Sequence, residues 1–306
     1  MSDDAPRILV VGDVINDIVV LPSEELRPDT DTASTIIATP GGSAANTAAW
    51  VGWHGVPVDF VGRVGAGDAE THRRIFAEAG VTAHLAESTT RGTGTIVIIA
   101  EGERRTMLTD RGANDELDPA SVTDELLERA SVLHLTGYGL VNAFTADDVA
   151  RLIARAREHG VKVSLDPGSV GFISDYGPAA FRRAVTGVDL LLPNLAEARL
   201  LIGQPEAPAA HAAVVLLDVA PLVMLTDGAR GVIVAEQSGV VHEIAVDEVP
   251  TVDSTGAGDA FGAGVLVALA TGQDVRAAAA QGMRAAAIAV SRAGGRPPAG
   301  RGTAAR

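Results

Sequence analysis

An anion cradle and a carboxylate stand side by side in Val252-Asp253-Ser254-Thr255-Gly256-Ala257-Gly258-Asp259-Ala260-Phe261, which runs on into the small-residue stretch Gly262 to Ala270. A polar turn, two glycines and then a helix leave several main-chain N–H groups without intrahelical acceptors around one point. Gly256 and Gly258 let the backbone approach a ligand closely, because neither carries a Cβ. Asp259 falls in the first helical turn, where the positive end of the dipole favours its ionised form. A carboxylate beside an anion site repels the anion, so its presence implies work there. The natural task is to accept a proton from a hydroxyl that attacks a phosphoryl group. An aspartate that merely caps the helix is the competing reading, and the flanking glycines disfavour it.

Other candidates close strand-like runs. Asn194-Leu195-Ala196-Glu197 has the spacing of a capping box. Thr226-Asp227-Gly228-Ala229-Arg230-Gly231 follows apolar Leu222 to Leu225, and its Asp-Gly pair is a strong turn signal. Asn46 is an amide among Ala44, Ala45, Ala48 and Ala49, a setting that gives it little reason to exist without a contact. In Gly12-Asp13-Val14-Ile15-Asn16-Asp17, a carboxylate such as Asp17 can accept from a vicinal diol. Val64-Gly65-Ala66-Gly67-Asp68 repeats the Gly-Ala-Gly-Asp letters, but a charged amphipathic segment follows and dinucleotide spacing is missing. It reads as a strand-to-helix turn, with Asp68 outside the chemistry. The histidines show no paired spacing, and His54, His72, His84 and His159 read as surface or loop residues. No Walker-type phosphate loop occurs.

Apolar runs of strand length alternate with helix-period segments, which predicts an α/β fold around a largely parallel sheet. Ile8 to Val11, Val58 to Val61, Val132 to Leu135, Val161 to Leu165, Asp189 to Leu192 and Leu222 to Leu225 are the expected strands. Asp147 to His159 is an expected helix with Gly160 closing it. In open α/β sheets ligands bind beyond the carboxyl ends of strands, where these motifs stand. Two stretches break the rhythm: 17–39, with no helix between its strands, and 93–109, a hairpin turning at Glu101-Gly102-Glu103. Together they predict a small β-sheet outside a core made of 1–16, 40–92 and 110–295.

With 306 residues and 47% apolar content the chain can bury one large core. A net charge of −15, from 39 acidic and 24 basic side chains, argues against nucleic acid or an anionic membrane as partner. No cysteine is present, which excludes disulfides and thiolate metal sites. The acidic start and the lack of a membrane-length apolar run make a cytoplasmic protein the expectation. Residues 296–306, rich in Pro, Gly and Arg, are expected to be disordered.

Asp253-Ser254-Thr255-Gly256-Ala257-Gly258-Asp259-Ala260-Phe261 resembles the C-terminal signature of the ribokinase-like (PfkB) family of sugar and nucleoside kinases. Pro40-Gly41-Gly42-Ser43-Ala44-Ala45-Asn46-Thr47-Ala48 resembles its N-terminal Gly-Gly signature. The resemblance implies a three-layer αβα core with the small sheet as a lid over the substrate, often the dimer contact, and Gly41-Gly42 as hinge. It implies Asp259 as general base, with the amides of Ala257, Gly258 and Asp259 as the anion hole. Asp17, Gly41, Gly42 and Asn46, with Asp13 alongside, would hold the acceptor. Asn194, Thr226, Gly228 and Gly231 would lie along ATP, and Glu197 would order Mg2+ through water. Asp253 and Thr255 match positions that bind a monovalent cation such as K+ in some members. Asp166-Pro167-Gly168-Ser169 departs from the family's commoner Asp-x-Asn, which weakens a metal role for Asp166.

The leading expectation is ATP-dependent phosphorylation of a primary hydroxyl on a small sugar or sugar-derived acceptor. The alternative is a nucleoside kinase of the same fold. Aromatic content of only 3% argues against base stacking, although Trp50, Trp53, Tyr138, Phe144 and Phe172 are available. Arg104, Arg105 and Arg111, on or after the hairpin, could pair with an acidic sugar or a phosphate. A non-catalytic sugar-binding regulator would keep Asp17 and Asn46 but tends to lose the base. A nicotinamide-dependent dehydrogenase lacks its fingerprint here.

Overall fold

The computed structural model describes residues 5–101, 104–140, 143–246, 249–300 and 302. Short Val-, Leu- and Ile-rich runs form most of its strands. These are β1 (Ile8–Val11), β2 (Ile15–Pro22), β3 (Ser34–Gly41), β4 (Val58–Gly65), β5 (Val81–Ser88), β6 (Gly94–Glu101) and β7 (Arg104–Asp110). They continue with β8 (Val132–Thr136), β9 (Lys162–Asp166), β10 (Leu190–Leu191), β11 (Leu222–Thr226), β12 (Val232–Glu236) and β13 (Val241–Ile244). Nine of them make one sheet in the order β13-β12-β11-β10-β9-β8-β1-β4-β5. From β11 to β5 every pairing is parallel, with Ile8 of β1 opposite Val58 and Val132, while β12 and β13 add antiparallel at one edge.

The parallel pairings require crossovers, and helices supply most of them. On one face lie α1 (Ser43–Trp53) and α2 (Ala69–Glu78). Their buried side chains meet Ile8, Val10 and Phe60 of the sheet, with Phe60 stacked on Phe76 at 4.5 Å between ring centroids. The opposite face carries α3 (Asp124–Glu128), α4 (Gly137–Leu140), α5 (Ala146–Glu158), α6 (Val170–Tyr176), α7 (Pro178–Val185), α8 (Leu195–Ile202) and α9 (Ala209–Val215), packed on Leu9, Val11, Leu133 and Leu165. The first face is completed by α10 (Ala257–Ala270) and α11 (Val275–Val290). Each large apolar side chain buried between these layers stabilises the fold by about 1.5–3 kcal/mol. The expected three-layer core is therefore what forms.

The second sheet, in the order β3-β2-β6-β7, stands outside the core and reads as the expected small sheet. Register puts Asp17, Thr39, Ile96 and Thr109 side by side on one face, and Ile18, Ala38, Val97 and Leu108 on the other. The second face stays apolar yet uncovered, with Ile36 65% and Leu108 56% exposed. Among the described residues no helix is long and apolar enough to cross a membrane.

Two expectations are corrected. Arg296, placed by composition in a disordered tail, donates through its guanidinium to the Ala45 carbonyl at 3.0 Å and lies over the Phe76 ring at 5.5 Å. Gly302 N–H likewise donates to Trp53 O at 3.0 Å, so the chain beyond α11 runs along α1 and finds main-chain partners there. Arg301 and 303–306 lie outside the described residues. His72, expected at the surface, is buried because the helical period aligns it with Ala69 and Phe76 on the inner face of α2.

Candidate active site

Strand β1 ends at Gly12-Asp13, β9 at Asp166, β10 just before Asn194 and β11 at Thr226. All four ends open onto one cavity of about 460 Å³ beneath the small sheet. Ile96, Ile98, Met107 and Thr109 form its roof. A second cavity of about 370 Å³, lined mostly by apolar and small residues such as Val246, Met283, Ala286 and Val290, shares Thr226, Gly258 and Phe261 with the first. The two cavities therefore meet at Thr226, Gly258 and Phe261.

Asp259 stands in the first turn of α10, 9% exposed, and lines the larger cavity. Ser43 Oγ donates to its Oδ1 at 2.7 Å and Asn46 Nδ2 to its Oδ2 at 2.9 Å, so α1 holds the carboxylate from across the site. Burial pushes this carboxyl up to about 7; the Ser43 and Asn46 hydrogen bonds oppose the shift, while Asp166 and Asp13 add to it. A carboxylate near neutrality is suited to general-base work. Of the three amides expected in the anion hole, Ala257 N–H is turned to Ser254 O at 3.3 Å. Gly258 and Asp259 belong to the first helical turn, whose N–H groups have no acceptor within the helix.

The loop's glycines differ in their reasons. Gly256 is the N-cap at φ +74, and a Cβ there would stand 2.4 Å from Gly295 Cα. A Cβ on Gly258 would meet only Asp166 Oδ2, at an ordinary 3.7 Å. G256A is therefore expected to unfold at a clearly lower temperature, since the left-handed backbone alone costs about 1–2 kcal/mol. G258A is expected to melt near the wild type and to lose activity by filling the space between the cavities. Thermal melts of the two purified variants check the contrast.

On the acceptor side, Asp17 lines the cavity from β2, and burial with Asp13 nearby pushes its carboxyl up to about 6 against the pull of Arg296. Gly41 is not at the cavity wall: a Cβ on it would fall 2.0 Å from Asp17 Oδ2, so its bareness makes room for that carboxylate. Gly42, at φ +96, lines the cavity and precedes α1. Asp13 lines the cavity but spends both oxygens on α1, accepting from Ser43 N at 2.9 Å and Ala44 N at 3.1 Å. Asn46 lines the cavity too, and its Oδ1 is buried without a hydrogen-bond partner. Arg111 enters the wall beneath the hairpin, donating to Asp115 Oδ1 at 2.8 Å and to Tyr138 O, and lying 5.3 Å from the Phe172 ring centre. Tyr138 meets the same ring edge-on at 4.7 Å. The side chains of Arg104 and Arg105 lie outside what is described.

On the other side, the capping box forms in both directions: Asn194 Oδ1 accepts Glu197 N–H and Glu197 Oε2 accepts Asn194 N–H, each at 2.9 Å. Glu197 is nevertheless buried and lines the cavity with Asp166. Burial raises both carboxyls above the usual range, and Asp166 is raised further by repulsion from Glu197. Two carboxylates that face one cavity without a cation between them fit a hydrated divalent ion. Among the described residues no group of three or more ligating side chains forms a closed metal cage. Thr226, Gly228 and Gly231 line the second cavity; Gly228 opens a 3-10 turn that Gly231 caps, and Arg230 within it pairs with both oxygens of Asp227 at 2.7 and 2.6 Å. Asp253 accepts Thr255 N–H at 2.8 Å and Gly294 N–H at 2.9 Å, which ties the loop to the C-terminal segment. Asp68 accepts Thr93 Oγ1 at 2.5 Å, away from the cavity.

Sequence reasoning missed Ser43 and Arg296. Ser43 stood inside a quoted motif without a role, and Arg296 carried a compositional signal that pointed the other way.

The sequence profile described as pfkB family carbohydrate kinase matches residues 5–300. Ribokinase of Haemophilus influenzae is 29% identical over 298 residues, covering 94% of this chain and 93% of the relative. The ATP-dependent ribose-1-phosphate kinase of Halopiger xanaduensis is 30% identical over 298 residues, covering 95% and 94%. Among solved structures, adenosine kinase from Sinorhizobium meliloti superposes with a TM-score of 0.85 at 23% identity, covering 95% of this chain and 96% of that one. A profile that spans nearly the whole chain, on a fold these structures share, decides the matter: the chain belongs to the pfkB family of carbohydrate kinases and is an ATP-dependent phosphotransferase.

Proposed function

We propose that the chain moves the γ-phosphoryl group of ATP to a primary hydroxyl of a small sugar or sugar-derived acceptor, with Asp259 as the base. The observation that carries this reading is the place of Asp259: a buried carboxylate at the head of α10, in the acceptor cavity and one residue from the Gly258 junction of the two cavities. The smaller cavity would take the adenine, and the phosphates would cross Gly258. The acceptor would lie beneath the lid with two hydroxyls on Asp17 and a further one given to the orphaned Asn46 Oδ1. Asp259, held by Ser43 and Asn46, takes the proton of the attacking hydroxyl. The N–H groups of Gly258 and Asp259, in the first turn of α10, receive the charge of the transferring group. Asp166 and Glu197 would hold Mg2+ through water, and the ion, when bound, supplies positive charge to the phosphate oxygens. The lid, turning about Gly41-Gly42, excludes water that would otherwise hydrolyse ATP. Asp253 and Thr255 would carry any monovalent cation. A second copy covering the apolar outer lid face would make a homodimer in the cytoplasm.

The edge-to-face pair of Tyr138 and Phe172 in the cavity wall supports a second reading, in which a nucleoside is the acceptor and its base meets the Phe172 ring. A panel of free sugars, sugar acids, sugar phosphates and nucleosides in a coupled ADP-release assay separates the two. Turnover confined to nucleosides replaces the first reading by the second. Acceptor-independent ATP hydrolysis alone removes both.

A further inference from the structure

The small sheet joins the core at four chain crossings: Val14-Ile15 into β2, Gly41-Gly42 out of β3, Gly94 into β6 and Asp110-Arg111 out of β7. Register gathers the first three into one row, with Ile15 between Gly41 and Gly94. Three of the four crossings also meet on a single side chain of the core. Asn114, in the 3-10 turn Gly112–Glu116 that follows β7, is 2% exposed. Its Oδ1 accepts Val14 N–H at 2.8 Å, and its Nδ2 donates to Val14 O at 2.9 Å and to Arg111 O at 2.8 Å. A Cβ on Gly94 would fall 2.4 Å from that Nδ2, so only a glycine leaves space for the amide. Val14 is fully buried, and its main-chain groups need partners. That need accounts for two of the three bonds. The third does not follow from it, because Asn114 N–H already donates to Arg111 O at 3.1 Å. What the third bond adds is a tie between the entry to β2 and the exit from β7, which a primary amide, with one acceptor and two donors on a planar end, is able to make.

We propose that Asn114 is a positioning residue of the kinase, the core-side clamp that seats the lid over the acceptor. It rests on the proposed acceptor site beneath the lid. Asn114 and Gly94 stay outside the cavity lining, but what they hold does not. Val14 lies between Asp13 and the strand that brings Asp17 to the cavity, and Arg111 is itself part of the wall. The second cavity has no lid residue in its lining, so the clamp acts on the acceptor side alone.

The test compares N114D, G94A and the wild type as full chains. N114D keeps an acceptor for Val14 N–H but sets an oxygen against Val14 O and Arg111 O. G94A leaves the amide in place and crowds it from the other side, along with Ile15 Cδ1 and Arg111 O. Hydrogen exchange of the ligand-free proteins is followed by mass spectrometry. In both variants peptides from β2 and β6 are expected to exchange about tenfold faster or more, while those from β8 and β9 stay within about twofold. Kinetics use whichever member of the acceptor panel gives the fastest ADP release. Its KM is expected to rise about tenfold, with the KM for ATP within about twofold of the wild type. The two effects together support the clamp. In a folded N114D, lid exchange or acceptor KM at the wild-type value overturns it, and so does exchange that rises equally in the main sheet, the mark of a merely structural role. If N114D does not fold, G94A decides by the same criteria. Failure of the acceptor-site reading is distinct: D17N, with Asn114 intact, would then leave acceptor KM unchanged.

Discussion

D259N is expected to lose about 10²–10⁴-fold in kcat, the span that removal of a positioned general base produces. The KM for ATP should change little, because the lost interaction belongs to the transition state. The variant should fold normally. Ser43 Oγ can keep its hydrogen bond to the remaining carbonyl oxygen. Asn46, whose Oδ1 has no partner, can turn its amide so that this oxygen accepts from the new NH2 group. The observed contacts thus offer the substitution a satisfied network, and a loss of activity cannot be assigned to unfolding. Wild-type turnover in D259N on the true acceptor would remove the mechanism.

The same carboxyl predicts a pH dependence of opposite sign for activity and stability. In the proposed base role Asp259 acts in its ionised form, so activity should rise as pH passes through about 7, where burial has placed this carboxyl. For stability the folded state retains a proton that an unfolded aspartate releases near its ordinary value of 3.8. Between these points the folded protein binds more protons, so stability falls as pH rises. D259N removes that burden. At pH 8 its Tm should stand about 2–4 °C above the wild type, the shift that about 1 kcal/mol gives in a large domain. Near pH 4 the two should melt together. A catalytic group that lowers stability in this way is a common trade in active sites.

The elements that carry chemistry were legible where a local signal and a strand end coincided. Leu222 to Leu225 followed by Thr-Asp-Gly, and Ile8 to Val11 followed by Gly-Asp, needed only apolar runs and turn residues. The hairpin of β6 and β7 was equally plain, with β-branched residues on both sides of a charged turn. Strand β5 was not legible, because Val81-Thr-Ala-His-Leu-Ala-Glu-Ser lacks both a continuous apolar run and a clean alternation. Its place as edge strand comes from pairing with β4 along its whole length. Within the site, Asn46 was visible as an amide that needed a contact. That its contact is Asp259, far along the chain, depends on α1 and α10 packing together, and no spacing reports this. Asp13 read as a possible wall of the site, while its two bonds to α1 follow from a helix that starts just after Gly42. Arg296 was hidden for the opposite reason. Pro and Gly around it are as compatible with a fixed irregular path as with disorder, and only the tertiary structure distinguishes them.

The acceptor side offers a prediction that does not touch the base. D17N is expected to reduce kcat/KM for the acceptor by about 100-fold, since two hydrogen bonds to a charged group contribute about 1.5–3 kcal/mol each and the neutral amide recovers part of that. The loss should appear in acceptor KM, with ATP KM unchanged. Gly41 allows the same effect to be produced from outside the cavity. A methyl group on Gly41 would fall 2.0 Å from Asp17 Oδ2, and the atom it meets is the free end of a rotatable side chain. Gly41 does not adopt the left-handed backbone that a side chain resists. G41A should therefore fold with a Tm close to the wild type and relieve the contact by swinging the Asp17 carboxylate aside. Its acceptor KM should rise nearly as far as that of D17N. The double variant D17N/G41A should be little worse than either alone, because both changes remove one interaction. Steady-state kinetics on the four proteins measure this coupling directly. Additive losses would mean that Gly41 meets the acceptor itself, and that Asp17 is not the anchor its neighbour was left bare to accommodate.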